Sequence, residues 1–213
     1  FTKAMPLETA TAAIDMIVDG GIPLKQVGFF GGEPMMRYPL MQEVTAYVRE
    51  KTAHYEKPVT MVVTCNGALI TKERTPWMKE NNFHIGISID GSPRAHDACR
   101  IRTGGKGSHE LVEAGIRNVQ EAPLPLKTIS VIDPKNVDWL GESLEHLLGL
   151  GLRHLSCNLD DEGDWNEANR ARFEKAIDDM GDAYVDAYRK GLAFKVNLFD
   201  AKIITHVKGG YAC

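Results

Sequence analysis

The sequence predicts an α/β fold built on a parallel sheet, and three observations carry that prediction. Strand-like apolar runs alternate with stretches of helical apolar period along the whole chain. The strands are separated by helices of roughly 10–15 residues, the length of a right-handed crossover between parallel neighbours. At 43% hydrophobic and 25% charged residues over 213 positions, the chain can bury a full core without staples.

The elements follow in order. Leu7, Ala10, Ile14, Ile17 and Val18 share a helical face from about 7 to 19, with Pro6 before it and Gly20-Gly21 after it. Val27 to Phe30 reads as a short buried strand. Leu40, Val44, Tyr47 and Val48 mark a second helix, and Val59 to Thr64 a strand closed by Asn66-Gly67. A short polar helix is expected over about 72–81, although Pro76 weakens it. His84 to Ile89 is the next strand, closed by Asp90-Gly91. Leu111, Val112, Gly115, Ile116 and Val119 form a helical face, and Lys127 to Ile132 a strand stopped by Asp133-Pro134. Val137, Leu140, Leu144, Leu147 and Leu148 make a stripe ending at Gly149 and Gly151. Leu152 to Leu159 is a fifth strand, and Phe173, Ile177, Met180, Tyr184 and Tyr188 mark a long amphipathic helix. A leading helix with no strand before it, a first residue that is not Met, and an end on Cys213 read as cuts through a longer polypeptide.

A net charge of −4 gives no drive toward nucleic acid or anionic lipid, and no apolar run approaches a membrane span. With no secretory signal, the expected location is the cytoplasm. The four cysteines (Cys65, Cys99, Cys157 and Cys213) never approach the short spacing of a metal site, so the first three read as buried small hydrophobes.

In parallel α/β sheets ligands sit at the carboxyl ends of the strands. The most distinctive such end is Phe29-Phe30-Gly31-Gly32-Glu33-Pro34. Two glycines let backbone carbonyls approach a ligand, and a carboxylate beside them makes an acceptor-only pocket for an ammonium group. A bare Gly-Gly is also an ordinary tight turn. Ser88, in the strand-end stretch Ile87-Ser88-Ile89-Asp90-Gly91, can donate to a carboxylate or a ribose hydroxyl, and Arg100 can fork onto a carboxylate. His96-Asp97 reads as a surface pair. Gly104-Gly105-Lys106-Gly107-Ser108 does not directly follow a strand and makes a poor phosphate loop. Asp160, Asp161, Glu162 and Asp164 form either a solvated loop or a substrate-facing wall, with Asp160 and Asp161 nearest the strand end.

These pieces, taken in order, resemble the radical S-adenosylmethionine (radical SAM) enzymes. The nearest subgroup carries a C-terminal SPASM domain and matures peptides and proteins, as the anaerobic sulfatase-maturating enzymes do. The resemblance rests on Met5 with Glu8-Thr9-Ala10 and Ala13-Ile14-Asp15, on Phe29 to Pro34, and on Asn66-Gly67 with Leu69. It continues through Ser88 to Gly91, His96-Asp97, Arg100, Gly105 to Ser108, Asn136 and Asn197-Leu198-Phe199 to Ile203. It implies a partial (β/α)6 barrel of parallel strands with its first strand missing. Residues 1–190 would be the core, and 191–213 a linker toward a SPASM segment.

The resemblance also implies cofactors: S-adenosylmethionine, a 4Fe-4S cluster whose Cys-x3-Cys-x2-Cys ligands lie outside this chain, and auxiliary 4Fe-4S clusters. Gly31, Gly32, Glu33 and Pro34 would hold the methionine ammonium. Ser88 would contact ribose or carboxylate, Arg100 the carboxylate, and Leu159 the adenine, while Asn66 orders the pocket and Asp90 closes the turn. Cys213 would be an auxiliary-cluster ligand, and Asp160 and Asp161 would face substrate. The implied activity is that of an oxidoreductase taking hydrogen from a peptide or protein, with flavodoxin or ferredoxin as reductant. The competing expectation is a cluster-less barrel that binds a peptide without chemistry. A weaker one is a phosphate-binding α/β enzyme.

Overall fold

A computed structural model describes residues 5–210. Its sheet has six strands in the order of the chain, β1 to β6, all parallel. That consecutive order belongs to (β/α) barrels; a doubly wound sheet reverses its order at a switch point.

The elements are α1 (Leu7–Asp19), β1 (Gln26–Phe29), α2 (Tyr38–Lys51), β2 (Thr60–Cys65), α3 (Thr75–Glu80), β3 (Phe83–Ser88) and α4 (Pro93–Cys99). Next come α5 (His109–Glu121), β4 (Leu126–Ile132), α6 (Leu140–Gly149), β5 (His154–Leu159), α7 (Glu167–Arg189), β6 (Lys195–Val196) and α8 (Asn197–Lys208). Single 3-10 turns precede α2 at Pro34–Arg37 and α6 at Val137–Trp139. The chain forms two compact units: residues up to Gly86 with Gly115–Leu126, and Ile87–Ala114 with the residues from Lys127 onward.

In the first unit the core comprises Val59, Met61, Val63, Phe83 and Ile85 from the strands. Ile14 of α1 and Met41, Val44 and Val48 of α2 complete it. β1 pairs with β2 from Gln26↔Thr60 to Phe29↔Val63. It is not the buried strand expected. It is the terminal strand of the sheet order, Gln26 and Gly28 are exposed, and Phe30 just beyond it is 84% exposed. Pro76 sits in the first turn of α3, where its missing N–H costs nothing, so it opens the helix rather than breaking it.

In the second unit the core gathers Ile87, Ile89, Ile132, Leu144, Leu147, Leu155, Cys157, Met180 and Val196. α7 starts on a reciprocal cap: Asn166 accepts from the Asn169 N–H while the Asn169 side chain accepts from the Asn166 N–H. The sequence expectation lacked β6 and α8. Both fall inside 191–213, and both belong to the second unit. Asn197 at the start of α8 accepts from the Cys157 N–H at 2.7 Å and donates to its carbonyl at 3.0 Å.

Cys65 and Cys157 are buried as expected, but Cys99 is exposed. It is the last residue of α4, a helix whose buried residues, Ala95 and His96, come before it. Cys213 lies outside the described residues. Among the described residues, no helix is long and apolar enough to cross a membrane.

Candidate functional site

The turn after β1 is fixed by one carboxylate. Gly31 has φ +106°, a conformation that side chains resist, so the glycine there is a backbone requirement. Glu33 then caps the 3-10 turn, its Oε1 accepting the Met35 N–H at 2.9 Å. Its Oε2 accepts the Asn66 N–H at 2.8 Å, which ties the end of β1 to the end of β2. Asn66 bends its own side chain back to accept the Ala68 N–H at 3.0 Å. The glycine pair is exposed, and a Cβ at either Gly31 or Gly32 would meet nothing. The turn is thus solvent-accessible, with Glu33 half-exposed beside it. Pro34 is the first residue of the 3-10 turn. Cys65, just before Asn66, is an inert neighbour, because burial pushes its thiol up to about 12.

The turn after β3, in the second unit, is built differently. Ser88 is half-buried, and its hydroxyl makes no hydrogen bond among the described residues. Asp90 is buried. Arg100 grips it with two parallel bonds, Nε to Oδ2 at 2.6 Å and Nη2 to Oδ1 at 2.9 Å. The Val131 N–H of β4 adds a third at 2.9 Å. The guanidinium fork expected to reach a ligand carboxylate is thus closed on Asp90. Three of its five N–H donors remain, on a side chain 30% exposed. Gly91 has φ +128°, and a Cβ there would lie 2.1 Å from Ser143.

His96 and Asp97 are not the surface pair expected. His96 is fully buried. Its Nδ1 accepts the Asp90 N–H at 3.3 Å, which requires the proton on Nε2. That Nε2 donates to Ser108 Oγ at 2.9 Å, and the Ser108 hydroxyl donates to the Arg100 carbonyl at 2.8 Å. Burial pushes His96 down to about 4, so this relay holds a neutral imidazole. Asp97 accepts from the Ser108 and His109 N–H groups at 2.8 and 2.9 Å, capping α5. The glycines before Ser108 form a tight turn closed by an Ile101–Gly107 bridge, not a phosphate cradle.

After β5, Leu159 is 46% exposed. Asp160 organises its own loop, with Oδ1 accepting the Glu162 N–H and its carbonyl accepting from Trp165 Nε1. Asp161 is exposed. At the end of β4, buried Asn136 spans the turn, accepting from the Asp133 N–H and donating to the Val131 carbonyl.

A family model described as the radical SAM superfamily matches residues 2–161. The chain belongs to that superfamily. It is 30% identical over 109 residues to the serine-type anaerobic sulfatase-maturating enzyme of Bacteroides thetaiotaomicron, covering 51% of this chain and 26% of that protein. It is 23% identical over 181 residues to the cysteine-type enzyme of Clostridium novyi, covering 81% and 48%. Its fold matches a structure described as native anSMEcpe with bound AdoMet, at TM-score 0.85 and 16% identity, over 100% of this chain and 60% of that one. The same protein with bound AdoMet and the Kp18Cys peptide matches at TM-score 0.84. The chain thus spans about half or less of these curated relatives.

Proposed function

We propose that this chain is the cofactor-binding core of a radical SAM enzyme that takes a hydrogen atom from a peptide or protein. The observation that carries this reading is Glu33: one carboxylate, locked by the Met35 and Asn66 amides, beside a Gly-Gly backbone open to solvent. A carboxylate has about four acceptor directions, and the two amides use two. The rest suit the ammonium of S-adenosylmethionine, with the carbonyls of Gly31 and Gly32 as further acceptors and Pro34 fixing the exit. Asn66 contributes by holding Glu33 in place. The unengaged hydroxyl of Ser88 suits a ribose hydroxyl or carboxylate. The free N–H groups of Arg100 suit the carboxylate, and Asp90 holds that arginine still. Exposed Leu159 suits the adenine.

When bound, S-adenosylmethionine supplies a 5′-deoxyadenosyl radical on receipt of one electron from an iron–sulfur cluster. The described residues offer no cysteine set for a cluster; those ligands come from outside residues 5–210. Residues 1–190 form the core in this reading, and 191–213 lead toward an auxiliary-cluster segment. Asp160 and Asp161 would favour a cationic or polar peptide. A flavodoxin or ferredoxin would supply the electron, in the cytoplasm.

The test is anaerobic iron reconstitution of the full-length protein with a low-potential reductant and S-adenosylmethionine. Release of 5′-deoxyadenosine is the expected result. Bound peptide with neither iron nor cofactor cleavage would favour a non-catalytic barrel instead.

A further inference from the structure

Apart from the strand-end turns, the second unit contains a convergence of ligating side chains that the proposed function does not use. His109 and Glu113 lie four residues apart on α5, so one helical face carries both. His146 approaches them from α6. Its Nε2 lies 3.1 Å from the Nε2 of His109, and the Glu113 carboxylate lies 3.8 Å from His109 Nδ1. One ligand atom from each of the three falls within 4.8 Å of the other two.

We propose that His109, Glu113 and His146 form a site for a divalent transition-metal ion, with zinc the best fit. Two imidazole nitrogens at tetrahedral zinc, with bonds of about 2.0–2.1 Å, sit a little over 3 Å apart. The observed separation of 3.1 Å is already close to that. Without metal, the two Nε2 atoms can share only one proton. A metal ion takes that proton's place, and the proton moves to Nδ1 of the same ring, so no charge is lost or gained on the imidazoles. Both rings must be neutral to ligate.

Glu113 supplies the anionic third ligand: one ligand atom of each residue lies within 4.8 Å of the others, and the carboxylate moves inward to complete the set. Two histidines and a glutamate are an established zinc donor set, with water completing the tetrahedron. The site is partly dehydrated, since the His109 side chain is 4% exposed and that of Glu113 20%. The ion would tie the start of α5 to α6. The His109 ring also packs edge-on against His96, centroids 5.6 Å apart, so the tie abuts the relay behind Asp90.

The site stands independently of the cofactor reading. It is tested by titrating the 213-residue chain with zinc chloride against a chromophoric chelator, with cobalt absorption as a second probe. One equivalent should bind and raise the melting temperature, with a tetrahedral cobalt spectrum. His146→Gln, at a half-buried position, should weaken zinc at least tenfold and abolish the metal-dependent rise. Glu113→Gln should weaken zinc about tenfold, and it serves as the second variant if His146→Gln fails to fold. No zinc binding by the unaltered chain overturns the proposal. So does binding that neither substitution changes, because the metal would then be held by cysteines or surface groups.

Discussion

Glu33 and Asp90 are both carboxylates in glycine-bearing turns at strand ends, one in each compact unit, and they are satisfied in opposite ways. Glu33 is half-exposed and holds two backbone amides, with no cation paired to it among the described residues. Asp90 is buried and neutralised by a two-pronged arginine, with a third bond from β4. A carboxylate that engages only amides keeps its charge and spare acceptor capacity for a ligand. A buried, paired one spends both on holding the turn together. The residue type alone does not separate ligand-facing groups from structural ones; the partners do.

The largest expected effect breaks the buried pair. Arg100→Ala leaves Asp90 charged, buried and uncompensated, and should cost about 3–5 kcal/mol in chemical denaturation. A loss below about 1 kcal/mol would mean Asp90 is as accessible as Glu33.

Next is pH, acting through the relay behind Asp90. His96 titrates at about 4 in the folded chain against 6.5 unfolded. Its neutral form therefore favours folding above pH 6.5, and that contribution is lost as pH falls from 6.5 toward 4. The loss should be about 3 kcal/mol, and the pH slope should flatten in His96→Gln. An unchanged slope would remove His96 from the relay.

Glu33→Gln sharpens the contrast from the other side. The amide oxygen still accepts one N–H, so the stability cost should be only about 1 kcal/mol. Asp161→Asn, at an exposed position, should stay within about 0.5 kcal/mol in stability.

The longer elements were legible because burial imposes a period on them. Ile14 in α1 and Met180 and Tyr184 in α7 sit on the stripes that the sequence displays. β6 was not legible, since a two-residue strand has no period to read. α8 buries no residue, so it has no stripe. β1 looked buried because Val27, Phe29 and Phe30 are apolar, yet a strand with one neighbour leaves a side uncovered. The Gly-Gly-Glu turn was visible as a motif. What it does locally was not, because Glu33 bonds Asn66 across 33 positions of sequence. His96 was misread for a similar reason: its partners, Asp90 and Ser108, make it buried rather than superficial. The His109–Glu113 spacing was readable as a helical pair, but only the fold brings His146 to it.

The central claim is that Glu33 faces the cofactor, and calorimetry of S-adenosylmethionine binding to the iron-reconstituted protein tests it most directly. Glu33→Gln should weaken binding by about 1–3 kcal/mol, roughly 5- to 150-fold, while iron content and melting temperature stay near those of the unaltered protein. Unchanged affinity in a folded, iron-loaded variant would contradict the account and put the ammonium pocket elsewhere.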